Sequence, residues 1–120
     1  MARSSITTIT KHLAEEGTGV FTCAFKDETG AGMTPSSATW TLTDTSGTVI
    51  NSRDAVVISS LAASVDIVLS GDDLALSSGF SGSAEERVLT VEFVYTSDAG
   101  AGLPGKAECR FFIDAYVAIP

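Results

Sequence analysis

Hydrophobic and polar residues alternate along five stretches of this chain. Successive side chains of a β-strand point to opposite faces of a sheet, so each stretch predicts a strand with one buried face. The first predicted strand begins at residue 19, and the others span residues 37–43, 64–70, 87–95 and 106–114. We expect their apolar positions to form the core: Phe21, Cys23, Phe25, Ala38, Trp40, Leu42, Val65, Ile67, Leu69, Leu89, Val91, Phe93, Tyr95, Ala107, Cys109, Phe111 and Ile113.

Turn-forming residues separate these stretches. Residues 27–30 (DETG) and 44–47 (DTSG) each combine an aspartate that starts a turn with a glycine that can adopt a positive φ. Residues 71–76 predict a helical turn that crosses between sheets. Two runs of small residues, 77–83 and 97–105, predict loops.

The number and spacing of the strands predict an all-β fold. An immunoglobulin-like β-sandwich of about seven antiparallel strands over residues 19–114 fits the pattern, and a small β-barrel is the alternative. No predicted helix is long enough for the crossover that a parallel α/β sheet needs.

The two ends of the chain show little periodicity. Residues 1–18 predict an N-terminal arm, in which Ile6 and Ile9 are candidates for a short first strand. Residues 11–17 predict a loop or one helical turn ending at a glycine. Residues 115–120 predict a C-terminal tail.

The charge balance is strongly acidic, with seven Lys and Arg against fifteen Asp and Glu and a formal net charge of −8. Phosphate binding needs clustered cations, whereas the cations here are dispersed along the chain, so we expect no direct nucleic-acid partner.

No apolar run approaches the roughly eighteen residues of a membrane helix, and the N-terminus lacks the apolar segment of a signal peptide. We therefore expect no membrane partner and synthesis in a cytoplasm.

Cys23, Trp40 and Cys109 stand in an order similar to the Cys–Trp–Cys order of immunoglobulin domains. Cys109 falls on the last predicted strand, however, and no tyrosine lies two residues before it, so we infer no disulfide. A reducing cytoplasm instead predicts two buried free thiols. Trp40 shares the apolar face of its strand with Ala38 and Leu42, which predicts a core residue rather than a sugar-stacking one.

No set of residues predicts a catalytic, cofactor-binding or metal-binding site. His12 is the single histidine, and it lies in the polar N-terminal segment, whereas a catalytic triad needs a rigidly oriented base. The spacings typical of zinc and calcium sites are absent. Adjacent carboxylates point apart on an extended chain and make poor acid–base dyads; the pairs are Asp27–Glu28, Asp72–Asp73 and Glu85–Glu86. The sequence therefore predicts a protein that is not an enzyme and has no cofactor, and it assigns no partner-binding residue.

Two segments carry a family resemblance. The first comprises residues 25–30 (FKDETG), Pro35 and residues 38–49 (ATWTLTDTSGTV), and the second comprises residues 65–74 (VDIVLSGDDL), 87–95 (RVLTVEFVY) and 111–114 (FFID). Together they resemble small immunoglobulin-like proteins that are encoded among the structural genes of tailed bacteriophages and prophages. The resemblance covers about residues 20–114.

The resemblance implies a non-enzymatic virion structural protein that binds other virion proteins. A capsid decoration or cement subunit is the preferred role, because we expect one small domain that acts by occupancy; a tail or head–tail connector accessory protein is the alternative. The resemblance further implies assembly in the bacterial host cytoplasm, contacts with capsid or tail subunits, and contacts between copies of the chain. It transfers no individual site residue.

The residues leave a second class of function open, an immunoglobulin-like binding module that recognises a cell-surface glycan or protein. Such a module needs exposed aromatic residues in its loops, and Phe80 and Tyr116 are the two candidates. Edge strands are the other surface at which we expect a partner to bind.

Overall fold

The computed structural model describes residues 3–8 and 11–116, which form eight β-strands and one short 3-10 helix. The strands are β1 (Ser5–Thr8), β2 (His12–Ala14), β3 (Thr18–Ala24), β4 (Ser37–Thr43), β5 (Val56–Val57), β6 (Ser64–Ser70), β7 (Ala84–Ser97) and β8 (Gly100–Asp114). The 3-10 helix, Gly71–Leu74, connects β6 to β7, where the sequence predicts a helical turn. In these described ranges no helix has the length and apolar character needed to cross a membrane.

The strands form two sheets that pack face to face. One sheet has three strands in the order β1-β3-β6, and the other has five strands in the order β2-β8-β7-β4-β5. Strands β1, β3 and β6 correspond to strands A, B and E of the immunoglobulin fold, and β4, β7 and β8 correspond to strands C, F and G. The predicted immunoglobulin-like β-sandwich is therefore confirmed. The alternative of a small β-barrel is wrong, because the two sheets remain separate and open.

Alternation of apolar and polar residues decides which face of each strand is buried. In β6 every odd-numbered side chain is buried and every even-numbered one is exposed. The predicted strands at residues 37–43 and 64–70 coincide with β4 and β6. A shift of one residue would turn the whole apolar set toward water, so the pattern sets the register as well as the strand.

Aromatic side chains join the two sheets in the core. Phe21 of β3 packs against Phe111 of β8 with ring centroids 4.8 Å apart. Phe25, which follows β3, packs edge-on against Phe93 of β7 with centroids 5.0 Å apart. Trp40 is 8% exposed, so the prediction of a core tryptophan is confirmed.

Both cysteines are buried free thiols, as the sequence predicts. Cys23 lies on β3 and Cys109 lies on β8, so they belong to different sheets. Burial raises the pKa of Cys23 to about 11, and this thiol therefore stays protonated at neutral pH. Cys23 acts as a small apolar core residue.

The N-terminal segment, residues 1–18 in the prediction, contributes two short strands to the sandwich, and the short first strand expected at Ile6 is β1. Ile6 of β1 and Leu13 of β2 are buried and belong to the core, while Ile9 lies outside the described residues. The expected loop or helical turn at residues 11–17 is wrong for residues 12–14, where β2 runs parallel to β8, whereas residues 15 and 16 form a turn. Strands this short contain too few residues to show an alternation, and they form because β3 and β8 offer edges for pairing.

The expected loop at residues 97–105 is also wrong, because most of it belongs to β8. Strands β7 and β8 form one long hairpin that turns at Asp98 and Ala99. The sequence predicts a loop here because glycine and proline are unfavourable in strands. A Cβ atom at Gly105 would lie 2.3 Å from the ring of Phe93, so glycine is needed here to admit that ring.

The beginning of β7 holds a buried cation that the sequence does not reveal. Arg87 is 1% exposed. Its Nη2 donates to Oε1 of Glu85 at 2.8 Å and to the carbonyl of Ala75 at 3.2 Å. A buried charge needs such partners, and these bonds fasten the segment after the 3-10 helix to β7.

Shortening Leu13 tests whether the N-terminal strands stabilise the sandwich. We expect Leu13→Ala to lower the free energy of unfolding by about 2–4 kcal/mol, because it leaves a cavity where Leu13 packs on Gly19. Val57→Ala is the control, since Val57 is 74% exposed and we expect a change within about 0.5 kcal/mol. Urea denaturation followed by the fluorescence of Trp40 measures both. Equal effects of the two substitutions would contradict a core role for β2.

Candidate protein-binding edge

The sheet edges are the places where this fold leaves backbone groups unpaired. Strands β1 and β6 bound the three-stranded sheet, and β2 and β5 bound the five-stranded sheet. Strand β2 pairs only with residues 112–114 of β8, so the preceding part of β8 is an edge as well. An edge strand presents a row of N–H and C=O groups with which another chain can pair.

Backbone hydrogen bonds at the two ends of β6 establish which way each of its residues points. The N–H of Phe25 donates to the carbonyl of Ala63 at 2.9 Å, and the N–H of Gly71 donates to the carbonyl of Gly17 at 3.0 Å. The N–H and C=O of successive residues in a strand point to opposite sides. Odd-numbered residues from 63 to 71 therefore bond to β3, and even-numbered residues point away from it.

The even-numbered residues of β6 face the free edge. The N–H of Ser70 has a partner there, because it donates to Oδ2 of Asp73 at 3.2 Å. Within residues 3–8 and 11–116, no hydrogen bond reaches the backbone of Ser64, Asp66 or Val68. We call this open row of donors and acceptors, formed by Ser64, Asp66 and Val68, the β6 edge.

A groove with a volume of about 420 Å³ runs beside the β6 edge. It arises because the three-stranded sheet ends at β6, whereas the five-stranded sheet continues past β4 to β5. Trp40 of β4, Val57 of β5 and Ile58 line it together with residues 64–68 of β6. We call this space the edge groove, and a strand added next to β6 would cover it.

The outer face of the β6 edge carries one charge and one large apolar side chain. Asp66 is exposed, and its Oδ1 accepts a hydrogen bond from Oγ1 of Thr22 at 2.8 Å. Val68 is 55% exposed and lies opposite Val20, which is 46% exposed, in the pairing of β6 with β3. A partner at this edge therefore meets a carboxylate beside an apolar surface.

A buried carboxylate just beyond the end of β6 connects this strand with the segment before β5. Asp73 is 2% exposed, and its Oδ1 accepts hydrogen bonds from Nε of Arg53 at 2.7 Å and from Nδ2 of Asn51 at 2.8 Å. The guanidinium of Arg53 lies 5.8 Å from the ring centroid of Trp40. Together with the bond to Ser70, Asp73 ties the end of β6 to the segment that leads into β5.

The same hydrogen bonds set the charge state of Asp73. Burial alone would raise the pKa of this carboxyl group, but the bonds from Arg53, Asn51 and Ser70 and the charge of Arg53 outweigh it. The pKa of Asp73 is therefore lowered from its ordinary value of 3.8. The carboxylate is charged at neutral pH, where the network has its full strength.

The free part of β8 is protected against strand addition. The N–H of Phe112 donates to the carbonyl of Lys11 at 2.7 Å, so the even-numbered residues of β8 point to this edge. Proline and charged side chains are the usual protection of an edge strand, and this edge has Pro104, Lys106, Glu108 and Arg110. Since β1, β2 and β5 have four, three and two residues, β6 is the long and weakly protected edge among the described strands.

His12, the single histidine, lies on β2, at the opposite edge of the five-stranded sheet from β5. Nδ1 of His12 is 2.7 Å from Oδ1 of Asp114. Its ring stacks on Phe112 with centroids 5.0 Å apart. These contacts join β2 to the end of β8.

The carboxylate pairs of the sequence are divided between different surroundings. Asp27 accepts hydrogen bonds from the N–H and the hydroxyl of Thr29 within a turn. Asp73 belongs to the network at the edge groove, and Glu85 binds the buried Arg87. In residues 3–8 and 11–116, no three His, Cys, Asp or Glu side chains are grouped so as to hold a metal ion.

The Asp73 network is the part of the site that the sequence analysis missed. Ser70 and Asp73 have the Ser-x-x-Asp spacing of a capping box, which signals the start of a helical turn. That signal identifies a cap but not the other partners. Arg53 lies 20 residues before Asp73, and no local pattern connects the two.

Comparisons with known proteins found no match for this chain among family models, curated proteins or solved structures.

Amide hydrogen exchange tests the assignment of the β6 edge. We expect the amides of Asp66 and Val68 to exchange at least about tenfold faster than those of Val65 and Ile67, because only the odd-numbered residues donate to β3. Exchange into deuterated water followed by NMR resolves the individual amides. Equal protection of all four amides would contradict the assignment.

Removing the charge of Asp73 tests the network that holds the edge groove. We expect Asp73→Asn to lower the free energy of unfolding at pH 7 by about 1–3 kcal/mol, because it weakens buried hydrogen bonds to a charged group. The lowered pKa of Asp73 means that its stabilisation is complete above the unfolded pKa and is lost as pH falls through the folded one. The difference between wild type and variant should therefore shrink below about pH 4.

The neighbouring Asp72 provides the control for this substitution. Asp72 is exposed, and we expect Asp72→Asn to change the free energy of unfolding by less than about 0.5 kcal/mol at any of these pH values. Denaturant titrations between about pH 3 and pH 7, a range that includes the titration of carboxyl groups, measure both variants. Similar pH profiles for the two would show that the Asp73 network does not stabilise the fold.

Proposed function

We propose that this protein is a non-enzymatic structural protein of a bacteriophage virion and that it decorates the capsid by binding neighbouring virion proteins. The observation that carries the proposal is the β6 edge with its groove, where open backbone groups are available for pairing with another protein chain. A decoration protein functions by staying bound at its place on the capsid, so it needs no reactive group.

The resemblance of residues 20–114 to small immunoglobulin-like proteins of tailed phages and prophages supports the virion assignment. The sandwich is the fold that the resemblance implies. The net charge of −8 is compatible with protein partners and unfavourable for direct contact with packaged DNA.

Capsid decoration is preferred to a tail or head–tail connector role. The described residues form one small sandwich, and a decoration subunit needs little more than such a domain and a docking surface. The alternative of a module that binds a cell-surface glycan or protein has weaker support. Tyr116 is 54% exposed, but Phe80 is partly buried, so the two candidate aromatics do not form an obvious binding surface.

Fractionated particles of the phage or prophage that encodes this chain test the proposal. We expect the protein to co-sediment with purified particles and to remain with tail-free heads, at a ratio to the major capsid protein that is the same in every preparation. Quantitative mass spectrometry of heads and of free tails measures this ratio. Particles from a phage in which the gene is deleted provide the background.

Two results would contradict the proposal at different levels. Absence from purified particles would overturn the virion role and favour a free binding module. Recovery with tails and not with heads would overturn capsid decoration in favour of a tail or connector accessory protein.

A further inference from the structure

The β6 edge has the features of a site for strand addition. We propose that it takes an extended segment of a partner protein as an additional strand, and that this segment alternates apolar and polar residues with a Lys or Arg opposite Asp66. The identity of the partner as a virion protein rests on the proposed function, whereas the chemistry of the edge does not.

The first argument concerns the backbone. Ser64, Asp66 and Val68 present N–H and C=O groups that no described residue binds. A strand lying roughly 4.8 Å away would pair with all of them. Because edge-facing residues occur at every second position, pairing along residues 64–68 takes a partner segment of about five residues. Main-chain pairing of this kind supplies affinity without requiring a specific partner sequence.

The second argument concerns the inner face of the added strand. Its side chains opposite Val65 and Ile67 would point between the sheets, as those two residues do, and would enter the edge groove. Trp40 and Ile58 supply apolar surface to this lining, and Ser59, Ser60 and Ser64 contribute polar groups. The groove volume of about 420 Å³ is many times the roughly 30 Å³ of a water molecule, so side chains fit there. The inner positions of the partner segment should therefore be apolar.

The third argument concerns the outer face. Asp66 is the charged residue that lines the groove, and its carboxylate is exposed beside Thr22. An opposite charge directly across a strand pair is favourable, and a like charge is unfavourable. The net charge of −8 also favours a positively charged partner. The outer position opposite Asp66 should therefore be Lys or Arg.

A second copy of this chain fits the edge less well. It would bring another −8 charge to the contact. If it paired through its own β6, the inner side chains Val65, Ile67 and Leu69 would already be buried in its own core. The edge groove would then stay unfilled, so the observations favour a segment of a different protein.

Synthetic peptides test this inference on the full chain. The probe is a nine-residue peptide, a length set at about twice the paired stretch, that alternates valine with threonine and has lysine at the central threonine position. Two matched peptides serve as controls. One has glutamate at that central position, and the other has proline there. Trp40 is the single tryptophan and lines the groove, so its fluorescence reports binding directly.

We expect the lysine peptide to bind saturably and to slow exchange of the Asp66 and Val68 amides by at least about tenfold. The amides of Val65 and Ile67 should change little, because they already donate to β3. The glutamate peptide should bind more weakly, and the proline peptide should not bind. Failure of the lysine peptide to protect the two edge amides overturns the inference.

Two substitutions locate the contact. Val68→Pro removes an edge-facing N–H without removing a bond to β3, and we expect it to weaken binding of the lysine peptide by about tenfold. Val68→Thr retains the N–H and should bind like wild type. Asp66→Lys does not depend on proline being tolerated, and it should reverse the preference so that the glutamate peptide binds more tightly. An unchanged preference would overturn the role given to Asp66.

The outcomes separate this inference from the virion role. If the lysine peptide binds at β6 but the protein is absent from purified particles, the proposed function fails and the strand-addition site stands. If the protein is present in particles but no peptide protects the β6 amides, the strand-addition site fails and the virion role stands. If the edge amides become protected as protein concentration rises without peptide, the occupant is a second copy and the inference is overturned.

Discussion

Contact between the two sheets is the interaction on which the rest of this structure depends. Neither sheet can bury its apolar face alone, and Phe21–Phe111 and Phe25–Phe93 connect strands of one sheet to strands of the other at centroid distances of 4.8 Å and 5.0 Å. Aromatic pairs at such distances contribute beyond the area that they bury. Once this contact exists, each strand must turn its apolar residues inward, and its register follows.

The candidate site is a consequence of packing two sheets of unequal width. Three strands facing five leave part of the larger sheet uncovered, and the uncovered part lies beside β6. Polar groups hold this border in place, because Asp73 receives hydrogen bonds from the segment before β5 and from the end of β6. The groove thus follows from the unequal widths of the two sheets, and the open backbone groups of the β6 edge beside it are available for pairing with another chain.

Buried ionic contacts at the border of the sandwich show what local sequence patterns cannot reveal. Arg87 and Asp73 are both almost fully buried, although charged residues are usually exposed. Each has partners from another segment: beside its contact with Glu85 on the same strand, Arg87 donates to Ala75 and Ser77, and Asp73 accepts from Arg53 and Asn51. Such partners meet only when the fold has formed.

The sequence alone predicts the sandwich class, the bounds of β4 and β6, and the burial of Trp40 and both cysteines. These features are predictable because alternation within one strand is a local signal of a buried face. Strand β2 and the beginning of β8 follow only from tertiary structure, since pairing with neighbouring strands overrides weak local preferences there. The β6 edge also belongs to this second group. Its open groups depend on which strand lies beside β6 and which does not, and strand order is decided by contacts between residues far apart in the chain.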